Sequence, residues 1–332
     1  MSFWKRARYR IEWLAVKALA IGIPLLPRRW ARGLARGLGS VAYFADRRGR
    51  GTALENLRAV YGDGKSEAER RQIAREAFQH FARTVIDQFW SARLTAENWE
   101  RYCRLELDDP EAVADALKTG AIWVTPHYSN FEWTALVMGF RGYRFTIIAQ
   151  DFKNPLLTRI FQENRQVSGH QVIPQRQSMF RLLKNLKSQG HAAFLTDLTI
   201  KPSKAATIIE CMGFKTCVTA LHVELMRRTR LPVIPGICQP LDDGTYRVRG
   251  LAPLRFEEGM SDAEMAQRCW DAFEPFILEN PAPWLWMYKH WRYRPESGGD
   301  AYPAYAGISG KFTKLEARVE SEASKTEPAT AE

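Results

Sequence analysis

The chain has 332 residues, of which 45% are hydrophobic and 12% aromatic, and its formal net charge is +11. This composition excludes a disordered chain and is sufficient for one large α/β domain with appendages or for two small domains. The positive charge predicts an anionic partner, and eleven tryptophans favour a lipid surface over nucleic acid. The five cysteines have no regular spacing, which predicts free thiols in a reducing compartment.

The first 50 residues carry nearly all of the net charge. Twelve basic and two acidic side chains give this segment a charge of +10. The mostly apolar run 14–26 contains Lys17 and two prolines and is shorter than a typical membrane span of ~20 residues. No small-residue cleavage site follows it. We therefore expect residues 1–50 to be a basic amphipathic segment that holds the protein on an anionic membrane surface.

Residues 28–41 within this segment fit an amphipathic helix. Large apolar residues recur at helical spacing: Trp30, Leu34, Leu38 and Val41. Four arginines lie largely on other faces of the helix: Arg28, Arg29, Arg32 and Arg36. The pattern predicts a helix whose apolar face meets lipid. The alternative is an ordinary helix that packs on the protein core and exposes a solvated basic face.

A capping box formed by Ser66 and Glu69 predicts the start of a long helix. Its apolar stripe is assigned to the protein core: Ile73, Ala77, Phe78, Phe81, Val85 and Phe89.

From residue 109 onward, short apolar strands alternate with helices. Strands are predicted over 121–124, 145–148, 192–195 and 233–237. Helices are predicted to begin at 110, 131, 155 and 262, to end at Gly190, and to cover about 218–228. This order predicts an α/β fold with a mixed central sheet flanked by helices, preceded by N-terminal membrane-associated helices. We expect the main domain over residues 51–297 and a flexible tail over 298–332, because residues 313–332 are charged and poor in large apolar groups.

The segment 124–132 carries the most informative chemistry. His127 follows a predicted strand, at the edge of the sheet where α/β folds place their sites, and Glu132 lies in the first turn of the next helix. We expect the Glu132 carboxylate to contact one imidazole nitrogen of His127, which leaves the other nitrogen as a general base. As a bare pattern, His-x4-Glu is a weak indication. The alternative is a structural histidine beside a solvated glutamate.

The stretch from Pro126 to Trp133 closely resembles the first motif, H-x4-D/E, of the late lipid A acyltransferases. These are the lauroyl and myristoyl transferases of Gram-negative bacteria, within the lysophospholipid acyltransferase superfamily. The resemblance covers roughly residues 10–295. Further blocks follow in the family's order: 55–57, 154–174 with Arg159 and Arg165, 193–213 with Asp197, 232–235 and 283–292. The third block lacks a second acid and two glycines, and the last has Tyr288-Lys289-His290 where the family prefers His-Arg-Arg.

The resemblance implies that His127 and Glu132 carry catalysis without a metal or a cofactor. Substrate-binding candidates, for an acceptor phosphate or the thioester carbonyl, are Arg165, Arg159, Lys201, Lys204, Asp197 and Asn130. The expected reaction moves a fatty acyl chain from an acyl carrier thioester to a hydroxyl of a lipid A precursor or related glycolipid. An acidic acyl carrier protein suits the basic surface better than coenzyme A does.

The implied location is the cytoplasmic face of the bacterial inner membrane, with no nucleic-acid partner. Two alternatives stay open: an acyltransferase for a lysophospholipid or another lipid acceptor, and a non-catalytic membrane-binding protein. A serine lipase is excluded because the chain has no G-x-S-x-G motif.

Overall fold

The computed structural model describes residues 3–149, 152–175 and 178–326. The helices described there are α1 (Phe3–Gly22), α2 (Arg28–Ala45), α3 (Arg47–Tyr61), α4 (Glu67–Trp90), α5 (Pro110–Thr119), α6 (Phe131–Phe140), α7 (Pro155–Gln166), α8 (Ser178–Lys187), α9 (Leu221–Thr229), α10 (Asp262–Asp271), α11 (Glu274–Glu279) and α12 (Gly310–Thr326). The strands are β1 (Cys103–Leu107), β2 (Ile122–Thr125), β3 (Phe145–Ala149), β4 (Gln171–Pro174), β5 (His191–Leu195), β6 (Ala206–Cys211), β7 (Phe214–Thr219), β8 (Val233–Pro240), β9 (Tyr246–Gly250), β10 (Tyr293–Arg294) and β11 (Gly307–Ile308).

The central sheet has seven strands in the order β1-β9-β8-β2-β5-β3-β4. Neighbouring strands from β8 to β4 are parallel, β8 and β9 are antiparallel, and β1 is parallel to β9. Alternate residues of β2 contribute to different cores: Ile122 and Val124 join the largest cluster, while Trp123 joins a cluster with α5 and α6. The prediction of a mixed central sheet flanked by helices is therefore confirmed.

A two-stranded hairpin of β6 and β7 was not predicted from the sequence. Its two-residue turn, Met212-Gly213, has positive φ at both positions, as a type I′ turn requires. Val218 pairs with Thr207 across this hairpin, so the helix predicted to begin near 218 begins at Leu221 instead. The β-branched residues of this region pair into strands before the helix begins.

The predicted tail contains an ordered helix. Composition predicted flexibility over 298–332, but α12 packs on the hairpin through Phe312 and Leu315, which are 0% and 5% exposed. Two apolar residues three positions apart share one helix face, so a mostly polar helix can still dock. The prediction was wrong for Gly310–Thr326, while residues 327–332 lie outside the described part of the chain.

Helix α2 packs on α4 through small residues and not through its large apolar stripe. Ala31, Ala35 and Gly39 are buried, and a Cβ at Gly39 would lie 2.4 Å from the Gln79 Cα of α4. The stripe predicted to meet lipid stays exposed, with Trp30 62% accessible. The helix therefore packs on the protein as the alternative expected, but through its small residues, and contact of the exposed stripe with lipid stays a prediction. Nevertheless, the 1–50 segment is integrated with the main domain through α2.

Two residues that were assigned to the core of α4 are exposed. Phe81 and Val85 are 45% and 39% accessible, whereas Phe78 and Phe89 on the same stripe are buried. Both lie between Phe78 and Phe89 along α4, so the middle of the apolar stripe is left uncovered while its two ends are buried.

None of the helices in the described residues combines the length and the hydropathy needed to cross a bilayer.

Candidate active site

The turn that carries His127 connects β2 to α6 and is held from two sides. Ser129 has a φ of +49°, a left-handed conformation that is uncommon for a residue with a Cβ. Its carbonyl accepts a hydrogen bond from the Thr84 hydroxyl (2.8 Å), and its N–H donates to the Pro283 carbonyl (2.9 Å). The surrounding structure thus stabilises a strained turn, as is common at functional sites.

His127 meets Asp197, not Glu132. The parallel strands β2 and β5 pair Thr125 with Leu195, and each strand is followed, two residues later, by one of the two side chains. The imidazole Nδ1 lies 2.7 Å from Asp197 Oδ1. Asp197, predicted as a substrate contact, is instead buried and serves as the carboxylate partner of the histidine.

The Asp197 carboxylate is surrounded by donors. Its Oδ2 accepts from the His127 backbone N–H (3.0 Å) and from the Trp284 indole N–H (3.1 Å). Burial disfavours its charge, but the adjacent His127 overcomes that cost and lowers the pKa of Asp197 below its ordinary value. An ionised carboxylate only accepts, so Nδ1 carries the proton and donates it to Asp197. The Nε2 atom of His127 is left with a lone pair, as a general base requires.

Glu132 forms an ion pair with Arg165. The guanidinium binds the carboxylate through two nitrogens, with Nε to Oε2 at 3.0 Å, and both side chains are mostly buried. The hydrogen bonds of Glu132 are therefore taken by Arg165, and the predicted contact between Glu132 and His127 is wrong. Helix α6 directs its first-turn carboxylate towards α7, while His127 turns towards the end of β5.

A second buried carboxylate, Asp87 of α4, contacts the residue that precedes α6. It accepts from Arg28 (2.8 Å), from the Tyr246 hydroxyl (2.6 Å) and from the Asn130 amide (3.2 Å). The Arg28 guanidinium lies 4.8 Å from the ring centre of Trp90, which adds a cation–π contact. Arg28 is therefore not part of a lipid-facing basic surface, and it joins α2 to the residue that begins α6.

Asn130 is 0% exposed, and its amide donates to Asp87. Its side chain therefore lies inside the protein, and the substrate contact predicted for Asn130 stays a prediction. The side chain of Asn130 also forms no capping hydrogen bond to α6, although Asn130 is the residue that precedes that helix.

Three further predicted substrate contacts are cations at the protein surface. Arg159 is exposed at the surface of α7 and pairs with Glu163 at 2.7 Å. Lys201 is exposed in the loop after Asp197. Lys204 lines a groove of about 660 Å³ whose lining contains neither His127 nor Asp197. No described contact joins these three cations to the histidine, so their roles stay predictions.

Sequence reasoning gave no role to Trp284 or Asp87. Trp284 stacks on His290 at 3.9 Å between ring centres and orients its N–H towards Asp197. Trp284 belongs to the block 283–292, which was identified only by its resemblance to the family. Its contact with Asp197 depends on the path that the chain takes after α11, which the sequence does not give. For Asp87, the available indication was a single carboxylate inside the apolar run from Val85 to Trp90.

An aromatic side chain packs against His127. The Phe131 ring lies edge-on to the His127 imidazole at 4.9 Å between centres. Thr84 of α4 contacts the turn at Ser129. Phe81 and Val85 lie on the same helix and are partly open to solvent.

Among the described residues, no group of three His, Cys, Asp or Glu side chains is placed to share a metal ion. All five cysteines are buried free thiols.

Comparison with known proteins gives one family. A search of curated proteins found no match. The sequence model described as "Bacterial lipid A biosynthesis acyltransferase" matches residues 2–293, which is nearly the whole chain. The match includes the His127 turn, Asp197 and the Glu132–Arg165 pair. The chain therefore belongs to the bacterial lipid A biosynthesis acyltransferase family and is an O-acyltransferase.

Proposed function

We propose that the enzyme transfers a fatty acyl chain from an acyl carrier thioester to a hydroxyl of a lipid A precursor or related glycolipid, with His127 as the general base. The observation that supports this most directly is the hydrogen bond between His127 Nδ1 and the buried Asp197 carboxylate. It orients the ring and leaves Nε2 as the proton acceptor. The side chain of His127 is 17% exposed, so the ring borders solvent while its partner is buried.

The reaction requires one proton to move twice. Nε2 takes the proton of the acceptor hydroxyl as its oxygen forms a bond to the thioester carbon. The carbon–sulfur bond then breaks, and the imidazolium returns the proton to the leaving thiolate. Asp197 stabilises the transient imidazolium because it carries a negative charge 2.7 Å from Nδ1.

We propose that Arg165 binds either the oxyanion that forms on the thioester carbonyl or a phosphate group of the acceptor. Glu132 occupies two of the guanidinium nitrogens and leaves the other N–H groups available. In this role Glu132 is a positioning residue, since it fixes the plane of Arg165 without touching His127. A guanidinium held in a partly dehydrated site stabilises developing negative charge more strongly than one in bulk water.

The acyl donor and the membrane are the proposed partners. The net charge of +11 suits an acidic acyl carrier protein and an anionic inner-membrane surface. Exposed apolar residues of α1 and α2 would enter the interface from the cytoplasmic side, among them Trp4 (81%) and Trp30 (62%).

The test compares the same substitution at two histidines. His127→Gln should reduce transfer of a labelled acyl chain from acyl carrier protein to a lipid A precursor by ~10²–10⁴-fold. His191→Gln is the control, because His191 begins β5 at the opposite end of the sheet and its Nδ1 accepts from the Ala121 N–H at 3.1 Å. Circular dichroism verifies the fold of both variants. Near-normal turnover by a folded His127→Gln enzyme contradicts the mechanism.

A second comparison addresses Arg165. Arg165→Ala should lose more activity than Arg141→Ala, since Arg141 is an exposed residue at the end of α6. Equal effects of the two changes would exclude Arg165 from the site. Transfer to a lysophospholipid with no transfer to a lipid A precursor would replace the proposed acceptor.

A further inference from the structure

A basic groove lies between α2 and α4, on a part of the surface that the catalytic residues do not line. Its volume is about 320 Å³. Six side chains and one glycine backbone form it: Arg29, Arg32, Arg36, Gln79, His80, Arg83 and Gly33. Four of these seven residues are arginines, whereas an ordinary solvated helix face mixes both signs of charge.

The guanidinium groups of the groove are only partly neutralised. Within the described residues, Arg29 and Arg36 have no ion pair or hydrogen bond from their side chains. Arg32 and Arg83 donate to the backbone carbonyls of Asp243 and Gly244, and therefore gain no opposing charge from those contacts.

Two carboxylates lie near the groove, the buried Asp87 and the exposed Asp243. Asp87 lies 3.7 Å from the Arg83 Nε but is already bound by Arg28. The Asp243 side chain pairs with Arg104 at 3.4 Å. Burial, together with the positive charges of Arg83 and Arg28, lowers the pKa of Arg32 below its ordinary value. An anion in the groove would relieve that repulsion.

The surface beside the groove indicates what kind of anion fits. Gly33 and Gly37 separate the basic side of α2 from the exposed apolar stripe, and neither glycine has a neighbouring atom within 4 Å of its Cβ position. Trp30 and Leu34 therefore reach the same open surface as the arginines. A molecule that joins an anionic group to an acyl chain can contact both parts of this surface.

We infer that this groove binds the phosphate of an anionic phospholipid headgroup while the apolar stripe of α2 contacts the acyl region of the bilayer. The inference rests on the proposed membrane attachment and adds a discrete binding site to it. Planar guanidinium groups bind phosphate oxygens through two nitrogens each, which favours recognition of the headgroup over a diffuse attraction.

The experiment measures binding of the full-length protein to phosphatidylglycerol–phosphatidylcholine vesicles. A triple variant, R29Q/R32Q/R36Q, removes three charges from the groove. The control, R101Q/R141Q/R181Q, removes three charges from exposed positions outside residues 1–50. An arginine near an anionic surface contributes roughly fivefold to binding, so the groove variant should bind on the order of 100-fold more weakly. We expect the control to lose less than about tenfold, and circular dichroism verifies both folds.

Three results would overturn the inference, and they are distinguishable. Equal losses in the two variants would mean that diffuse charge holds the protein, with membrane attachment intact. If the wild-type protein did not bind vesicles that contain phosphatidylglycerol, the proposed membrane attachment would be wrong as well. If inorganic phosphate raises the melting temperature of the wild type but not of the groove variant, while both bind vesicles equally, the ligand is free phosphate and not lipid.

Discussion

Replacing Asp197 with asparagine tests whether Asp197, and not the Glu132 predicted from the sequence, is the carboxylate that works with His127. In the structure, Asp197 Oδ2 accepts two N–H groups and Oδ1 accepts the imidazole proton. The asparagine oxygen would keep the two N–H donors, because its amide nitrogen cannot accept them. The amide NH₂ would then face Nδ1 and require a lone pair there. The proton would move to Nε2, the atom that has to act as the base.

The expected loss follows from that tautomer change. A histidine held in the wrong tautomer by the corresponding Asp-to-Asn change in a catalytic triad loses about 10⁴-fold in kcat. We expect a loss of about 10³–10⁴-fold for Asp197→Asn, which is ~4–5.5 kcal/mol of activation free energy. The assay is single-turnover transfer of labelled acyl chain, with kcat and KM measured separately. Substrate binding should change little, because Asp197 is buried behind His127.

Asp115→Asn is a matched control, since Asp115 forms an exposed ion pair with Lys118 at the protein surface. It should leave kcat unchanged. Glu132→Gln is the decisive comparison, because it weakens the hold on Arg165 and leaves His127 and Asp197 in place. If Asp197→Asn retained near-normal kcat while Glu132→Gln abolished it, the working partner of His127 would be Glu132 and our reasoning would be refuted.

Three further predictions concern stability. Arg28→Ala leaves the Asp87 carboxylate buried without its main partner and should cost about 3–5 kcal/mol in the free energy of unfolding, measured by urea titration; an unchanged midpoint would contradict this. Gly39→Ala should destabilise by about 1–3 kcal/mol because its Cβ meets the α4 backbone, whereas Gly37→Ala has open space and should be neutral or stabilising by calorimetry. Burial lowers the pKa of His222 to about 4, so between pH 6.5 and 4 the unfolded chain binds one more proton at this residue and the free energy of unfolding falls as pH drops. His222→Met should therefore reduce the dependence of that free energy on pH by about 1.4 kcal/mol per pH unit. Urea titrations across this pH range measure the difference.

Local chemistry was sufficient to predict many helix starts and strands. Ser66 and Ser261 begin α4 and α10 with capping boxes, and Asp109 caps α5, as their sequences predicted. Each cap is a contact between residues three apart, so neighbouring residues in the chain determine it. The apolar runs that became β2 and β5 were predicted for the same reason.

The hairpin and α12 depend on contacts between distant residues. The strand β7 is stabilised by its pairing with β6, and α12 by the burial of Phe312 on that hairpin. Neither element has a strong local pattern, so tertiary packing overrides local propensity at these positions. The exposure of Phe81 and Val85 also depends on where the rest of the core ends.

The sequence by itself placed His127 after a strand and Glu132 in the first turn of a helix, because these elements can be read locally, while the family resemblance added Arg165. Only the tertiary structure decided which carboxylate meets the imidazole. The parallel pairing of β2 with β5 aligns Thr125 with Leu195 and brings Asp197 beside His127, seventy residues apart in the chain. The spacing of His127 and Glu132 is a property of one turn, whereas strand register is a property of the whole sheet.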